Sequence, residues 1–171
     1  LFRGNRGNLS NQCSDLDLIK REILLIDNIL CKANKNCFYK AYPTINPRYD
    51  DLDPIYPHLS KKKINIVNTK IDARYILKKY DLIMCGTATS TLSWAIYSKK
   101  PIIFLNYSDR SPIAKEIYSE FSKSFFLINY EDADFYKKAL EIINQPQNKI
   151  NLLWEKKRLT REKFIENYIS S

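Results

Sequence analysis

Apolar positions recur along this chain in two rhythms, one with helical and one with strand spacing, and the switches between them lay out its elements. Over residues 14–32, Leu16, Ile19, Ile23, Ile26 and Leu30 return at steps of three and four. That spacing predicts an amphipathic helix, with Ser14 and Asp15 supplying a cap and early negative charge. "CFYKAY" predicts a strand closed by Pro43, and residues 43–60, holding Pro43, Pro47, Pro54 and Pro57, predict an extended loop. After Lys61, Lys62 and Lys63 the pattern becomes regular. "INIVN" predicts a strand, "DARYILKKY" a helix, "DLIMC" a strand, and "TSTLSWAIYS" a helix with Leu92, Ala95 and Ile96 on one face. "PIIFLNY" and "SFFLIN" predict strands, "PIAKEIYSEFS" and "DADFYKKALEIIN" helices, and residues 150–169 a single closing helix. Short apolar strands alternating with helices predict an α/β fold, a doubly wound, Rossmann-like parallel sheet with helices on both faces. The length of 171 residues suits one such domain over residues 1–171, with residues 1–13 as a flexible loop or linker.

Composition narrows the function classes. A hydrophobic fraction of 44% and an aromatic fraction of 13% fit a folded chain rather than a disordered one. No apolar run approaches the roughly 18 residues of a membrane span, and no charged-then-apolar leader is visible at the start. The missing initiator Met leads to the expectation that a longer protein contains this chain. Cys13, Cys31, Cys37 and Cys85 form no CxxC pair, and His58 is the sole histidine, so no zinc spacing is present. Scattered cysteines fit a reducing cytoplasm, and Cys85, inside an apolar run, is expected to be a buried small hydrophobe.

The 28 Lys and Arg against 19 Asp and Glu give a formal charge of +9. Three partners fit that excess: nucleic acid, an anionic membrane surface, or phosphorylated small molecules. The cations are dispersed, and no RRM, helix-turn-helix or zinc-finger signature accompanies them, so no nucleic-acid partner is expected. His58, in a proline-rich stretch, is expected at the surface. Asp50, Asp51 and Asp53 lack an EF-hand pattern, and neither a metal nor a cofactor is expected.

The chemistry concentrates in "MCGTATSTLSWA". Gly86 is the sole glycine beyond residue 7, and five Ser/Thr hydroxyls follow it within seven positions. Parallel α/β sheets bind ligands outside the carboxyl ends of their strands, where helix N-termini present free N–H groups. A glycine there permits a tight turn or a close ligand approach. One hydroxyl would serve as a helix cap; five suggest donors for phosphate oxygens. Gly86, Thr87, Thr89, Ser90 and Thr91 are therefore the candidate phosphate-binding residues. Lys40, at a strand end, is a candidate cation for the same charge. Neither the dinucleotide GxGxxG nor the Walker GK[ST] pattern is present.

"YDLIMCGTATSTLSWAIYSKKPIIFLN" resembles the donor-binding segment of GT-B-fold glycosyltransferases of bacterial capsule and lipopolysaccharide synthesis. Those chains carry a strand, a Ser/Thr-rich turn, a helix, and a Lys-Pro leading into an apolar strand. "FYKAYP" is similar to the Lys-x-His-Pro strand end of Kdo transferases, GT-B sialyltransferases and glycerophosphotransferases. The resemblance covers roughly residues 37–145. It implies a C-terminal half that binds a nucleotide-sugar donor, metal-independent transfer to a polysaccharide or lipid-linked acceptor, and a general base in a preceding half. It also makes Arg3 and Arg6 candidates for the donor phosphate; Asn68, Thr69 and Lys70, which follow a strand, are candidates for base or ribose. Two positions depart from the family pattern: Tyr42 stands in place of histidine, and Trp94 in place of a ribose-binding glutamate. Nucleotide, sugar and acceptor stay open. A GT-B-type nucleotide-sugar epimerase and a non-catalytic ligand-binding module of the same fold are the alternatives. Lys156, Lys157, Arg158, Arg161 and Lys163 stand among Leu153, Trp154, Phe164, Ile165, Tyr168 and Ile169, and this segment is the candidate for peripheral contact with the inner face of the cell membrane.

Overall fold

The computed structural model describes residues 15–40, 55–62, 64–67, 71–86, 90–109 and 112–169. The chain is α/β and divides into two compact units, Leu1–Asp72 and Ala73–Ser171. Each carries its own small parallel sheet.

In the first unit, helix α1 (Asp15–Leu25) continues through a π-helical turn, Ile26–Leu30. Strand β1 (Phe38–Tyr39), helix α2 (Ile55–Ser60) and strand β2 (Asn65–Ile66) follow, with Phe38 opposite Asn65 and Tyr39 opposite Ile66 in parallel register. The apolar face foreseen for the first helix does its work here. Ile26, Tyr39, Ile55, Leu59 and Ile64 are buried together, with Ile19, Ile23, Leu30 and Tyr56 packed against them. The Tyr39 hydroxyl donates to the carboxylate of buried Glu22. Helix α2 falls where the prolines suggested only loop. Its Pro57 lies in the first turn, where a missing N–H costs no intrahelical bond, and Ile55 and Leu59, four apart, supply the buried side.

The second unit holds strands β3 (Ile83–Cys85), β4 (Ile102–Asn106) and β5 (Phe126–Asn129) in the order β3-β4-β5, all parallel. Ile83 faces Ile102, and Ile103 faces Phe126. Helices α3 (Ser90–Tyr97), α4 (Lys115–Ser124), α5 (Phe135–Ile143), α6 (Gln147–Lys156) and α7 (Arg158–Tyr168) complete it. All five residues of β4 are buried, the mark of a central parallel strand covered on both sides. Phe104 meets Phe121 of α4 edge-on at 4.9 Å between ring centroids, while Phe126 meets Trp154 of α6 at 5.8 Å. By strand alternation and the observed register, those two contacts lie on opposite faces of the sheet. Leu92, Ala95 and Ile96 of α3 are buried, as their spacing foresaw.

Two elements differ from the periodicity. Residues 72–80 form two 3₁₀ turns, Ala73–Tyr75 and Leu77–Lys79, instead of an α-helix. Their bonds run three residues back, Ile76 N–H to the Ala73 carbonyl and Lys79 N–H to the Ile76 carbonyl, and Ile76 alone is turned fully inward. The segment is too short, with too little to bury, to repay helix nucleation. The closing helix is broken at Lys157 into α6 and α7. Arg161 explains the break. Its guanidinium is buried, lies 3.8 Å from the centroid of the Trp154 ring, and donates to the Trp154 carbonyl at 2.9 Å. The Lys157 ammonium donates to the Ser122 and Lys123 carbonyls at the end of α4. Phe164 packs edge-on against Phe121 and Phe125. Trp154 and Phe164, two of the apolar residues foreseen for a membrane face, are thus buried in the aromatic core, while Lys156, Arg158 and Lys163 are exposed. Among the described residues, no helix is long and apolar enough to cross a membrane.

Candidate ligand site at the carboxyl edge of the three-stranded sheet

Three chain reversals meet at the carboxyl ends of β3, β4 and β5. Gly86 follows β3, Asn106 ends β4, and Asn129 ends β5. Of the residues expected to hold phosphate, Gly86, Ser90 and Thr91 fall at this edge, while Thr87 and Thr89 lie outside the described residues. Ser90 is the first residue of α3 and is exposed. Thr91, in the same first turn, has its Oγ1 buried with no hydrogen-bond partner among the described residues.

Gly86 has a packing reason for being glycine. A Cβ at this position would stand 2.9 Å from Cε2 of Tyr107 and 3.5 Å from the Leu105 carbonyl oxygen. The Tyr107 ring is buried and held by Tyr130 at 4.9 Å and Phe135 at 6.4 Å, so it has no free space to give. The glycine admits a ring of the neighbouring strand at the sheet's edge.

Asn106 and Asn129 are cross-strand partners. The Asn106 amide Nδ2 donates to Asn129 Oδ1 at 2.9 Å, and the Tyr118 hydroxyl of α4 donates to the same oxygen at 3.0 Å. Asn106 is 4% exposed, yet its own Oδ1 is buried with no hydrogen-bond partner among the described residues. Beyond the strand ends, Ser108 donates to Glu131 Oε1 twice, from its backbone N–H at 3.1 Å and its hydroxyl at 2.6 Å, which ties the β4 and β5 exits together. Consecutive right-handed crossovers that advance in one direction place their helices on one face of a sheet. With α4 over Phe104, α3 shares that face, and alternation puts the Asn106 side chain there too. Asn106 therefore ends β4 at the carboxyl edge, on the sheet face assigned to α3 and α4.

Asn106, Asn129 and Tyr118 were not singled out by motif. A signal was present: "IIFLN" and "FLIN" both interrupt an apolar strand with a terminal asparagine. Arg74, in the turn before β3, was also missed. Its guanidinium lies 5.2 Å from the Trp94 ring and 5.4 Å from the Tyr75 ring. Trp94 thus provides a cation–π platform on α3.

Lys40 belongs to the first unit, just past β1, where burial lowers the pKa of its ammonium against the opposing charge of Asp72. His58 is not a bare surface residue. Its Nε2 is 2.9 Å from Asp27 Oδ1, and Lys62 Nζ lies 3.1 Å from the same oxygen. Burial alone would raise the Asp27 pKa, and the bonds from His58 and Lys62 outweigh it and hold it below 3.8. Cys85 is buried, and burial pushes its thiol up to about 12. Arg3, Arg6, Asp50, Asp51, Asp53, Asn68, Thr69 and Lys70 lie outside the described residues. Among the described residues, no group of three or more His, Cys, Asp or Glu side chains is placed to hold a metal ion.

Comparison with protein families, with curated proteins and with solved structures finds no match for this chain.

Proposed function

We propose that the chain is the donor-binding part of a GT-B-type glycosyltransferase, a doubly wound Rossmann-like domain that holds a nucleotide-sugar by its phosphate at the start of α3. The observation that carries this reading is the Thr91 hydroxyl, buried in the first turn of α3 at the carboxyl edge and lacking a partner among the described residues. A buried hydroxyl left unpaired costs about 1–3 kcal/mol, and a phosphate oxygen is an acceptor that would remove that cost. Helix amides nearby add a favourable dipole for the same anion. Chemically, such a site favours departure of the nucleotide by stabilising the charge that builds on its phosphate, an oxyanion-hole type of effect. It needs side chains and amides only, so transfer is metal-independent. The acceptor would be a surface polysaccharide or a lipid-linked precursor, reached at the inner face of the cell membrane.

The test is titration calorimetry of CMP, CDP and UDP against the Ser90→Ala, Thr91→Val double variant. Each lost bond to a charged group should cost about 1.5–3 kcal/mol of binding. Thr91→Val keeps the shape and removes the unpaired oxygen, so the melting temperature should hold or rise. Nucleotide affinity equal to that of the unaltered protein would overturn the proposal.

A further inference from the structure

Two buried polar groups at the carboxyl edge lack partners among the described residues, and they cannot serve the same ligand atom. The Thr91 hydroxyl can donate to a phosphate. The Asn106 Oδ1 cannot, because an amide oxygen only accepts and the esterified phosphates of a nucleotide-sugar carry no proton at neutral pH. Its orientation is set by its neighbours. Asn129 Oδ1 accepts from Tyr118 and from the Asn106 Nδ2, and turning the Asn106 amide alone would set two acceptors against each other at 2.9 Å. The remaining amide oxygen has no donor among the described residues, on a side chain only 4% exposed. Buried polar groups are nearly always satisfied, so this one calls for a donor from outside the chain.

We propose that Asn106 Oδ1 receives a hydrogen bond from an O–H or N–H of the bound ligand, next to the phosphate held by α3, with Asn129 and Tyr118 as positioning residues that keep the amide oxygen turned toward it. This rests on the reading of the site as a nucleotide-sugar site and adds the residue that selects for what the phosphate carries. Such a donor can come from the nucleoside or from the transferred sugar, and both present hydroxyls. A site built to pair with a donor rejects an analogue lacking it more strongly than an apolar pocket rejects a misfit, because the rejected complex leaves the acceptor unpaired.

The experiment compares Asn106→Leu with the unaltered protein against three probes: pyrophosphate, UDP or CMP, and their sugar conjugates UDP-glucose, UDP-N-acetylglucosamine and CMP-sialic acid. Pyrophosphate carries no nucleoside or sugar donor and should bind equally to both proteins. A loss of about five- to tenfold for free nucleotide and conjugate alike assigns the donor to the nucleoside; a loss confined to a conjugate assigns it to the sugar. Either supports the inference. Equal affinities for every probe would overturn it and mean that a buried water satisfies the oxygen. A loss that includes pyrophosphate would overturn it as well. If the unaltered protein binds none of the probes, the nucleotide-sugar reading itself falls and takes this inference with it, whereas binding that ignores Asn106→Leu sinks the inference alone. Tyr118→Phe guards against a folding defect. It leaves Asn106 in place, frees its amide to turn, and should lower affinity for the same probe by a smaller factor, with pyrophosphate unchanged.

Discussion

Replacing Gly86 by alanine separates two explanations of the only glycine in the second unit. If the glycine served ligand approach, alanine would spare the fold and weaken binding. The structure argues for packing. The added Cβ would sit 2.9 Å from the Tyr107 ring edge, about half an ångström or more inside an ordinary carbon–carbon contact. The ring cannot swing aside freely, because Tyr130 and Phe135 close on it at 4.9 and 6.4 Å. Overpacking of this kind costs about 1–3 kcal/mol. At about 2–4 °C per kcal/mol for a chain of this size, Gly86→Ala should lower the melting temperature by roughly 3–10 °C. Tyr107→Leu makes room at the same spot while losing aromatic packing. In the double variant the clash is absent, so its destabilisation should be smaller than the sum of the two single ones by about 1 kcal/mol or more. Thermal melts followed by circular dichroism supply all four values. A Gly86→Ala protein that melts within a degree of the parent, or strictly additive effects, would refute the packing argument.

Other outcomes can be checked more quickly. Arg161→Ala should destabilise by about 2–4 kcal/mol, since it removes a buried charged hydrogen bond to the Trp154 carbonyl and the cation from its ring, and Arg161→Lys should restore less than half. Urea midpoints within 0.5 kcal/mol of the parent would contradict that role. Asp27 titrates below 3.8 in the folded chain, so its contribution is fully present above the unfolded value and is lost as pH falls through the lower folded one. For so exposed a group the effect should be about 0.2–1 kcal/mol. Asp27→Asn should flatten the acid side of the stability profile, and a parallel profile would argue against the pairing. Cys31, exposed, should react with iodoacetamide in the native state, while Cys85 should label only on unfolding. Mass mapping of the labelled peptides decides it, and native labelling of Cys85 would contradict its burial.

The strands and helices of the second unit were legible because each buries a run that only one periodicity fits. "IIFLN" is apolar at four successive positions, too short for a helix and suited to a strand covered on both faces, and β4 is that strand. Leu92, Ala95 and Ile96 likewise marked the buried side of α3. What stayed hidden depends on tertiary partners. The break at Lys157 arises from contacts with the end of α4 and with Trp154, and residues 147–168 taken alone carry continuous helical character. Helix α2 was obscured by Pro57, whose meaning changes with its place in the turn. At the candidate site, the hydroxyl-rich turn was visible as composition, but the glycine's reason lay with Tyr107, twenty-one residues on, which no local pattern reports. Asn106 is a polar letter at the end of a strand, and only its unpaired oxygen gives it weight.

The central strand also sets the order in which the second unit opens. An amide in β4 is held between two strands and sealed by side chains on both faces, so it can meet solvent deuterium only when the sheet itself comes apart. Exchange there should report the global unfolding free energy, whereas the amides at the start of α3 should exchange through small local fluctuations. The groups proposed to contact a ligand therefore sit at the soft margin of a slow-exchanging slab. A bound nucleotide would slow exchange mainly at that margin, leaving the β4 rate to change only as far as the whole unit is stabilised.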